Sequence, residues 1–332
     1  MFEPDVIYYE EKIEDYLLGK ELLSKYSNIP KVKIQNHNNI DELRNMPNTE
    51  FANLKKHLII GIRKTHRYTP NKKVSDFLVP YTSSGCTAMC MYCYLVCNFN
   101  KCSYLRLFVN REQMLEKMIK TAEKSERVLT FEIGSNSDIV LENTITKNLV
   151  WTIENFANTN NGLITFPTKF DMIDDILNLK GIEKIIPRVS INPQNIINMV
   201  EFGTSRLDER ITAINKLKKA GYKVGILIAP IILIDNWEKE YGNLFSYLAQ
   251  KLSKEIKNDV FFELIFMTYS YIHKMINQDM FPNAINLFDE KLMTARGLGK
   301  YTYKPNIRKE ASNFFMEKIK YYFPKAKTLY IV

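Results

Sequence analysis

The run Ser83-Ser84-Gly85-Cys86-Thr87-Ala88-Met89-Cys90-Met91-Tyr92-Cys93-Tyr94-Leu95 gathers three of the chain's five cysteines on one short stretch. C-x-x-x-C-x-x-C supplies three thiolates from a single loop, and thiolates are the usual protein ligands of iron–sulfur clusters. Three thiolates around a four-iron cubane leave one iron open, and an open metal position is where a substrate or cofactor binds. Other occupants compete. Structural zinc takes four ligands, usually as two separated pairs, and no second pair exists. Cys97 can add a fourth ligand (C-x3-C-x2-C-x3-C), which closes the site into a structural cluster or a zinc knuckle. Disulfides are the remaining option, but an odd count of five suits a reducing compartment better.

Outward from that loop, short apolar runs alternate with helix-period stretches from Asp76 onward. The pattern predicts strands at Phe77–Tyr81, Val128–Ile133, Leu163–Pro167, Ile185–Ile191, Val224–Ala229 and Val260–Phe266. Helices are expected at Glu112–Lys124, Asn143–Ala157, Met172–Leu179, Leu207–Ala220 and Asn243–Lys257. Ser205 is expected to cap the fourth of these and Gly221 to stop it. Six β/α units in series imply an α/β fold with a parallel sheet and right-handed crossovers. Six is short of eight, so the expectation is a partial (β/α)6 TIM-like barrel that stays partly open. The cysteine loop follows the first strand, at the carboxyl end of the sheet, where parallel α/β proteins place their chemistry. Position and motif agree, which favours the open cluster.

With 332 residues, 45% hydrophobic and 25% charged, the chain can bury one large core plus an appendage. It has no apolar run of transmembrane length and no signal-peptide pattern at Met1-Phe2-Glu3-Pro4, so an intracellular protein without a membrane partner is expected. The net charge of +9 is compatible with a polyanionic partner. Residues 1–75 differ from residues 76–332: they are polar, helix-prone over Tyr8–Tyr26, and then basic. Lys55-Lys56-His57 and Arg63-Lys64-Thr65-His66-Arg67-Tyr68 flank the strand-like Leu58–Ile62. Those charges read equally as a solvated face or as nucleic-acid contacts. Near the carboxyl end, Gly297-Leu298-Gly299-Lys300-Tyr301-Thr302-Tyr303-Lys304-Pro305 predicts a β-hairpin within a segment of about 295–308. Alternating aromatic and basic residues suit stacking on bases and contact with phosphates. The plainer reading packs Tyr301 and Tyr303 on the body of the protein.

At this point the chain resembles the spore photoproduct lyase family, radical S-adenosylmethionine (SAM) enzymes of DNA repair. The resemblance runs through Leu58–Lys64, Cys86–Leu95, Phe131-Glu132 with Ser137–Val140, Thr168-Lys169-Phe170 and Ser190–Pro193. It continues through Phe202–Ser205, Leu207–Ile211, Lys219–Tyr222, Ala229-Pro230-Ile231 and Gly299-Lys300-Tyr301. The resemblance implies that Cys86, Cys90 and Cys93 hold a 4Fe-4S cluster whose open iron takes SAM, and that Ser137, Lys169 and Ser190 contact SAM. In the family, a SAM-derived 5′-deoxyadenosyl radical takes a hydrogen from the spore photoproduct, 5-thyminyl-5,6-dihydrothymine, and the dimer reverts to two thymines. Tyr92 and Tyr94 match tyrosines that help return hydrogen to the adenosyl group. Lys300 and Tyr301 would hold the flipped lesion, with Lys304, Arg63 and Lys64 near phosphates. Double-stranded DNA carrying the lesion, a flavodoxin or ferredoxin as electron donor, a monomeric state and the cytoplasm of the spore core are implied in the same way.

One position departs from the family. The hydrogen-donating cysteine of F-E-x-x-C-x-S-D is Ser135 here, in Phe131-Glu132-Ile133-Gly134-Ser135-Asn136-Ser137-Asp138. An alcohol O–H bond is much stronger than a thiol S–H bond, so serine cannot quench a stabilised allylic radical. Cys97 or Cys102 is expected to replace it, with Cys97 preferred as the nearer to the cluster loop; the alternative is that both are ordinary loop cysteines. Two other functions stay open: a related radical SAM enzyme with another substrate, and a DNA-binding relative whose closed cluster is structural. Ser137 and Lys169 count against the last, because a closed cluster has no use for a SAM pocket.

Overall fold

Val6-Ile7-Tyr8-Tyr9-Glu10 opens on β-branched and aromatic residues, which favour a pleated strand, and a strand is what it forms. A computed structural model describes residues 2–98 and 104–332. The helix expected over Tyr8–Tyr26 is corrected to a strand, Val6–Glu10, a 3-10 turn, Glu11–Asp15, and then a helix, Leu17–Lys25. That helix folds back closely on the turn: a Cβ at Gly19 would stand 2.0 Å from the Ile13 carbonyl oxygen.

The chain forms two compact units. The first comprises Met1–Ala88, Leu95–Pro167 and Asp174–Ile185. Its five-stranded sheet runs in the order Lys31–Ile34, Val6–Glu10, His57–Gly61, Leu105–Phe108, Ser83–Ser84, with only the last strand antiparallel. Ile7, Leu58, Ile60, Leu105 and Leu107 bury one face against Ile13, Leu18 and Leu22. A second ladder pairs Phe77–Leu78, Leu129–Glu132 and Gly162–Thr168 in parallel. The helix expected over Asn143–Ala157 is two helices, Ile139–Thr146 and Asn148–Phe156, parted by Lys147 at φ 55°. The cause is local: the Asp138 carboxylate accepts from the Val140 and Leu141 N–H groups and starts the first helix early. Of the helix expected at Met172–Leu179, only the 3-10 turn Asp174–Ile176 forms.

The second unit comprises Met89–Tyr94, Thr168–Ile173 and Ile186–Val332. Four strands, Ile185–Ile191, Gly225–Ile231, Phe261–Phe266 and Lys327–Ile331, pair in parallel. The helix Leu207–Lys219 forms as expected and gives way at Gly221, φ 104°. Ser205 does not cap it, because its hydroxyl donates to Asp171 at 2.6 Å; Arg206 takes the cap position and its N–H donates to Glu209. The helix expected at Asn243–Lys257 is instead Trp237–Lys251 and Lys254–Asp259. Phe315, from the long helix Pro305–Tyr322, meets Trp237, Tyr241 and Phe245 of the first of these.

The expected hairpin is present as Met293–Gly297 and Lys300–Tyr303, with Thr268–Ser270 added as a third strand beside Lys300–Tyr303. Its turn needs positive φ at Gly297, Leu298 and Gly299 in succession, which explains a glycine on each side of Leu298. Among the described residues, no helix is long and apolar enough to cross a membrane.

Candidate active site

Within the second unit, Met89–Cys90 lies antiparallel to Glu201–Phe202, with Cys90 opposite Glu201. The helix Tyr271–Met280 holds this part of the cysteine loop by its carbonyls. Asn277 Nδ2 donates to the Met91 carbonyl at 2.9 Å. His273 is buried, and its Nδ1 accepts from the Ser270 N–H at 3.1 Å. A neutral ring therefore carries its proton on Nε2, which donates to the Cys93 carbonyl at 3.1 Å. Burial pushes the His273 pKa down, in keeping with that neutral form.

Cys86 belongs to the first unit. The Ala88 N–H approaches its sulfur at 3.4 Å, and the buried Lys55 donates its ammonium to the Cys86 carbonyl at 2.8 Å. Cys86, Cys90 and Cys93 are half-buried and none is in a disulfide. Among the described residues, no three His, Cys, Asp or Glu side chains are grouped around a metal position. The donor set nonetheless fits an iron–sulfur cluster. It consists of three unbridged thiols, one with a backbone N–H directed at its sulfur, as a thiolate favours.

Glu201 is the centre of a charged network in the second unit. Its side chain is wholly buried, and Arg210 Nη2 donates to it at 2.7 Å, Lys169 Nζ at 3.1 Å and Asn192 Nδ2 at 3.0 Å. The Tyr92 hydroxyl donates to the same carboxylate. Burial alone would raise the carboxyl pKa, but the charges of Lys169 and Arg210, with the Tyr92 and Asn192 hydrogen bonds, hold it well below the usual range. The Tyr92 phenol is driven well above its ordinary value, by burial first and then by the Glu201 charge. Lys169 also reaches Ser190 Oγ at 2.8 Å and the Ala229 carbonyl at 2.6 Å. Two residues chosen from the sequence, Lys169 and Ser190, therefore meet directly. Sequence reasoning missed Glu201, and no local signal marks it, since even the preceding Ile196–Val200 is broken by Asn198.

The first unit holds a different polar cluster. Ser137 sits where the chain leaves the strand Leu129–Glu132, in a parallel bridge to Gly85, and its hydroxyl lies 2.7 Å from that of Ser83. Ser83 in turn bonds to Glu142, which is wholly buried among Thr82, Thr146 and Asn148.

Comparison with known proteins identifies the family. A family model described as spore photoproduct lyase matches residues 2–332. The chain belongs to the spore photoproduct lyase family. It is 32% identical to the spore photoproduct lyase of Bacillus subtilis (strain 168) over 99% of this chain and 98% of the relative. The spore photoproduct lyase of Geobacillus sp. (strain Y412MC61) is 31% identical over the same shares. A solved spore photoproduct lyase double mutant with bound AdoMet and dinucleoside spore photoproduct superposes with a TM-score of 0.93 at 30% identity, covering 100% of this chain and 99% of that one. A second lyase structure, complexed with dinucleoside spore photoproduct, gives 0.92 at 30% identity over the same shares. The partial-barrel α/β fold expected from the strand and helix pattern is that of these lyases.

The other residues that the resemblance singled out take varied positions. Tyr94 is half-exposed, Ser135 is half-buried, and Lys64 and Lys300 are exposed. Arg63 turns inward: Nε donates to the Tyr81 carbonyl at 2.8 Å, and the guanidinium stacks 3.8 Å over Phe108. Burial lowers its pKa to about 10. Tyr301 is half-buried against Phe288, whereas Tyr303 is a core residue whose oxygen accepts from the Leu233 N–H. Lys304 donates to the Lys291 carbonyl. Cys102 lies outside the described residues, as does the side chain of Cys97.

Proposed function

We propose that this chain is a radical SAM lyase that returns the spore photoproduct in DNA to two thymines. The observation that carries the reading is the full-length likeness to lyase structures holding AdoMet and dinucleoside spore photoproduct. Cys86, Cys90 and Cys93 would hold a 4Fe-4S cluster, which when bound supplies the electron that cleaves SAM. The rest falls to side chains. The Lys169 ammonium suits the SAM carboxylate, and its bonds to Ser190, Glu201 and Ala229 keep it aimed. Ser190 and Ser137 offer hydroxyls to the amino acid and ribose of SAM. Glu201 engages the O–H of Tyr92, which favours Tyr94 for exchanging hydrogen with the adenosyl group.

Lys300 and Tyr301 would hold a lesion flipped from the duplex, with Lys304 and Lys64 toward phosphates. Arg63 spends its guanidinium on the Tyr81 and Ser83 carbonyls, which leaves Lys64 the better suited of the pair to a phosphate. Cys97 or Cys102 would donate the hydrogen that Ser135 cannot. A flavodoxin or ferredoxin would supply electrons, and the protein would act as a monomer in the cytoplasm of the spore core.

The test is anaerobic reconstitution with iron and sulfide, followed by SAM, dithionite and a dinucleotide photoproduct. The expected products are thymidylyl-thymidine and 5′-deoxyadenosine. Absence of SAM cleavage by cluster-loaded protein would refute the proposal. One observation, Ser135, favours a second reading, in which SAM is cleaved but another substrate is used. Cleavage without repaired dinucleotide would select it. If Cys97→Ala and Cys102→Ala proteins both repair like wild type, neither thiol is the donor.

A further inference from the structure

We propose that Arg210, acting through Glu201, sets how strongly Lys169 holds the carboxylate of SAM. This rests on the reading of Lys169 as the carboxylate contact. Arg210 itself is a positioning residue: it is wholly buried and its guanidinium bonds to protein groups.

Two cations, Lys169 and Arg210, answer the single carboxylate of Glu201, and they do so in different ways. Arg210 is fixed on every side. Its Nη2 donates to Glu201 Oε2 and to Thr204 Oγ1, both at 2.7 Å. Its Nη1 donates to the Ser190 carbonyl at 3.0 Å and its Nε to the Ser205 carbonyl at 2.9 Å. A planar fork held at four points keeps its charge where it is. Lys169 carries one nitrogen on a flexible stem, and its side chain is 20% exposed where those of Glu201 and Arg210 are closed off. Of the two cations, Lys169 is the one that an incoming anion can meet.

The acceptors around the Lys169 ammonium are unequal. The Ala229 carbonyl lies at 2.6 Å, Ser190 Oγ at 2.8 Å and Glu201 Oε1 at 3.1 Å. An ammonium has three protons, so an added carboxylate takes its bond by weakening one of these contacts. The contact to Glu201 is the longest, and Glu201 keeps a cation, Arg210, when Lys169 turns away. Asn192 Nδ2, at 3.0 Å, and the Tyr92 hydroxyl stay on the oxygen that Lys169 leaves. Glu201 is thus the acceptor that gives way at least cost.

Without Arg210 the balance reverses. Glu201 would then lean on Lys169 for its countercharge, and a second carboxylate at that ammonium would meet an uncancelled like charge. Arg210 cancels that charge in advance and leaves Lys169 to read the carboxylate.

The test compares SAM with decarboxylated SAM, which lacks only the carboxylate, by equilibrium dialysis against cluster-loaded protein. The ratio of the two affinities isolates the carboxylate contact, and wild type is expected to favour SAM. Arg210→Gln should lower the ratio by about tenfold, near the lower end of what a hydrogen bond to a charged group contributes. Glu201→Gln removes the competing carboxylate and should raise the ratio severalfold. Asn192→Ala withdraws one neutral donor from Glu201 and should lower the ratio by about threefold; it carries the test if neither charge variant folds. Opposite shifts in the two charge variants lie beyond a merely structural role, which would weaken both ligands alike. An unchanged ratio in the variants, or a fall in Glu201→Gln, would overturn the role of Arg210 alone. A wild-type protein that binds both ligands equally would remove the reading of Lys169 and the role of Arg210 together.

Discussion

Glu201 and Glu142 are both buried carboxylates, one in each unit, yet they are kept in opposite ways. Glu201 faces two cations, Lys169 and Arg210, and its pKa is held down. Glu142 is bonded by hydroxyls and one amide, and its pKa is pushed up by burial that those neutral donors only partly offset. The difference teaches that equal burial does not mean equal charge cost. A cation removes the cost directly, whereas neutral donors leave the group responsive to pH.

The largest effect should come from breaking the ionic side. Arg210→Met leaves the Glu201 carboxylate with half its countercharge, and breaking a buried pair by removing one partner costs about 3–5 kcal/mol. Urea denaturation reads this directly, and a loss below about 1 kcal/mol would erase the contrast between the two carboxylates.

A smaller effect is expected from pH. With the folded pKa of Glu142 raised above its ordinary 4.5, the folded state holds more protons than the unfolded chain in that window. The contribution of Glu142 to stability therefore falls as pH rises from about 4.5 through the raised folded value, then levels off. The difference curve between wild type and Glu142→Gln should show this decline, and a flat curve would contradict it. The smallest effect sets the floor. Lys33 and Glu11 touch at 2.7 Å but are mostly exposed, so Lys33→Ala should leave the denaturation midpoint where it was.

Much of the fold was legible because buried parallel strands read as apolar runs; Ile185–Ile191 forms with the expected bounds. The misses have local causes. Tyr8–Tyr26 was misread because it begins inside a strand of β-branched and aromatic residues, Val6–Glu10. Asn143–Ala157 was misread because an aspartate cap moved a helix start and Lys147 adopted a left-handed turn. In the candidate site, Lys169 and Ser190 were named through the resemblance, and the two side chains lie in hydrogen-bond contact. Lys55 was read with a basic surface but is buried on the Cys86 carbonyl. Glu142 and Glu201 could not be singled out, because a carboxylate takes its meaning from partners distant in sequence. Thr82 and Ser83 lie some sixty positions before Glu142, and Lys169 thirty-two before Glu201.

Ser270 ends the strand that pairs with Lys300–Tyr303 and begins the helix whose His273 holds the Cys93 carbonyl. Ribbon, joint and clamp therefore form one lever. From Tyr301 a path of hydrogen bonds runs along the paired strand into the capped helix end, and from there through His273 and Asn277 to the backbone of the cysteine loop. The ribbon and Cys93 thus share one continuous hydrogen-bonded scaffold.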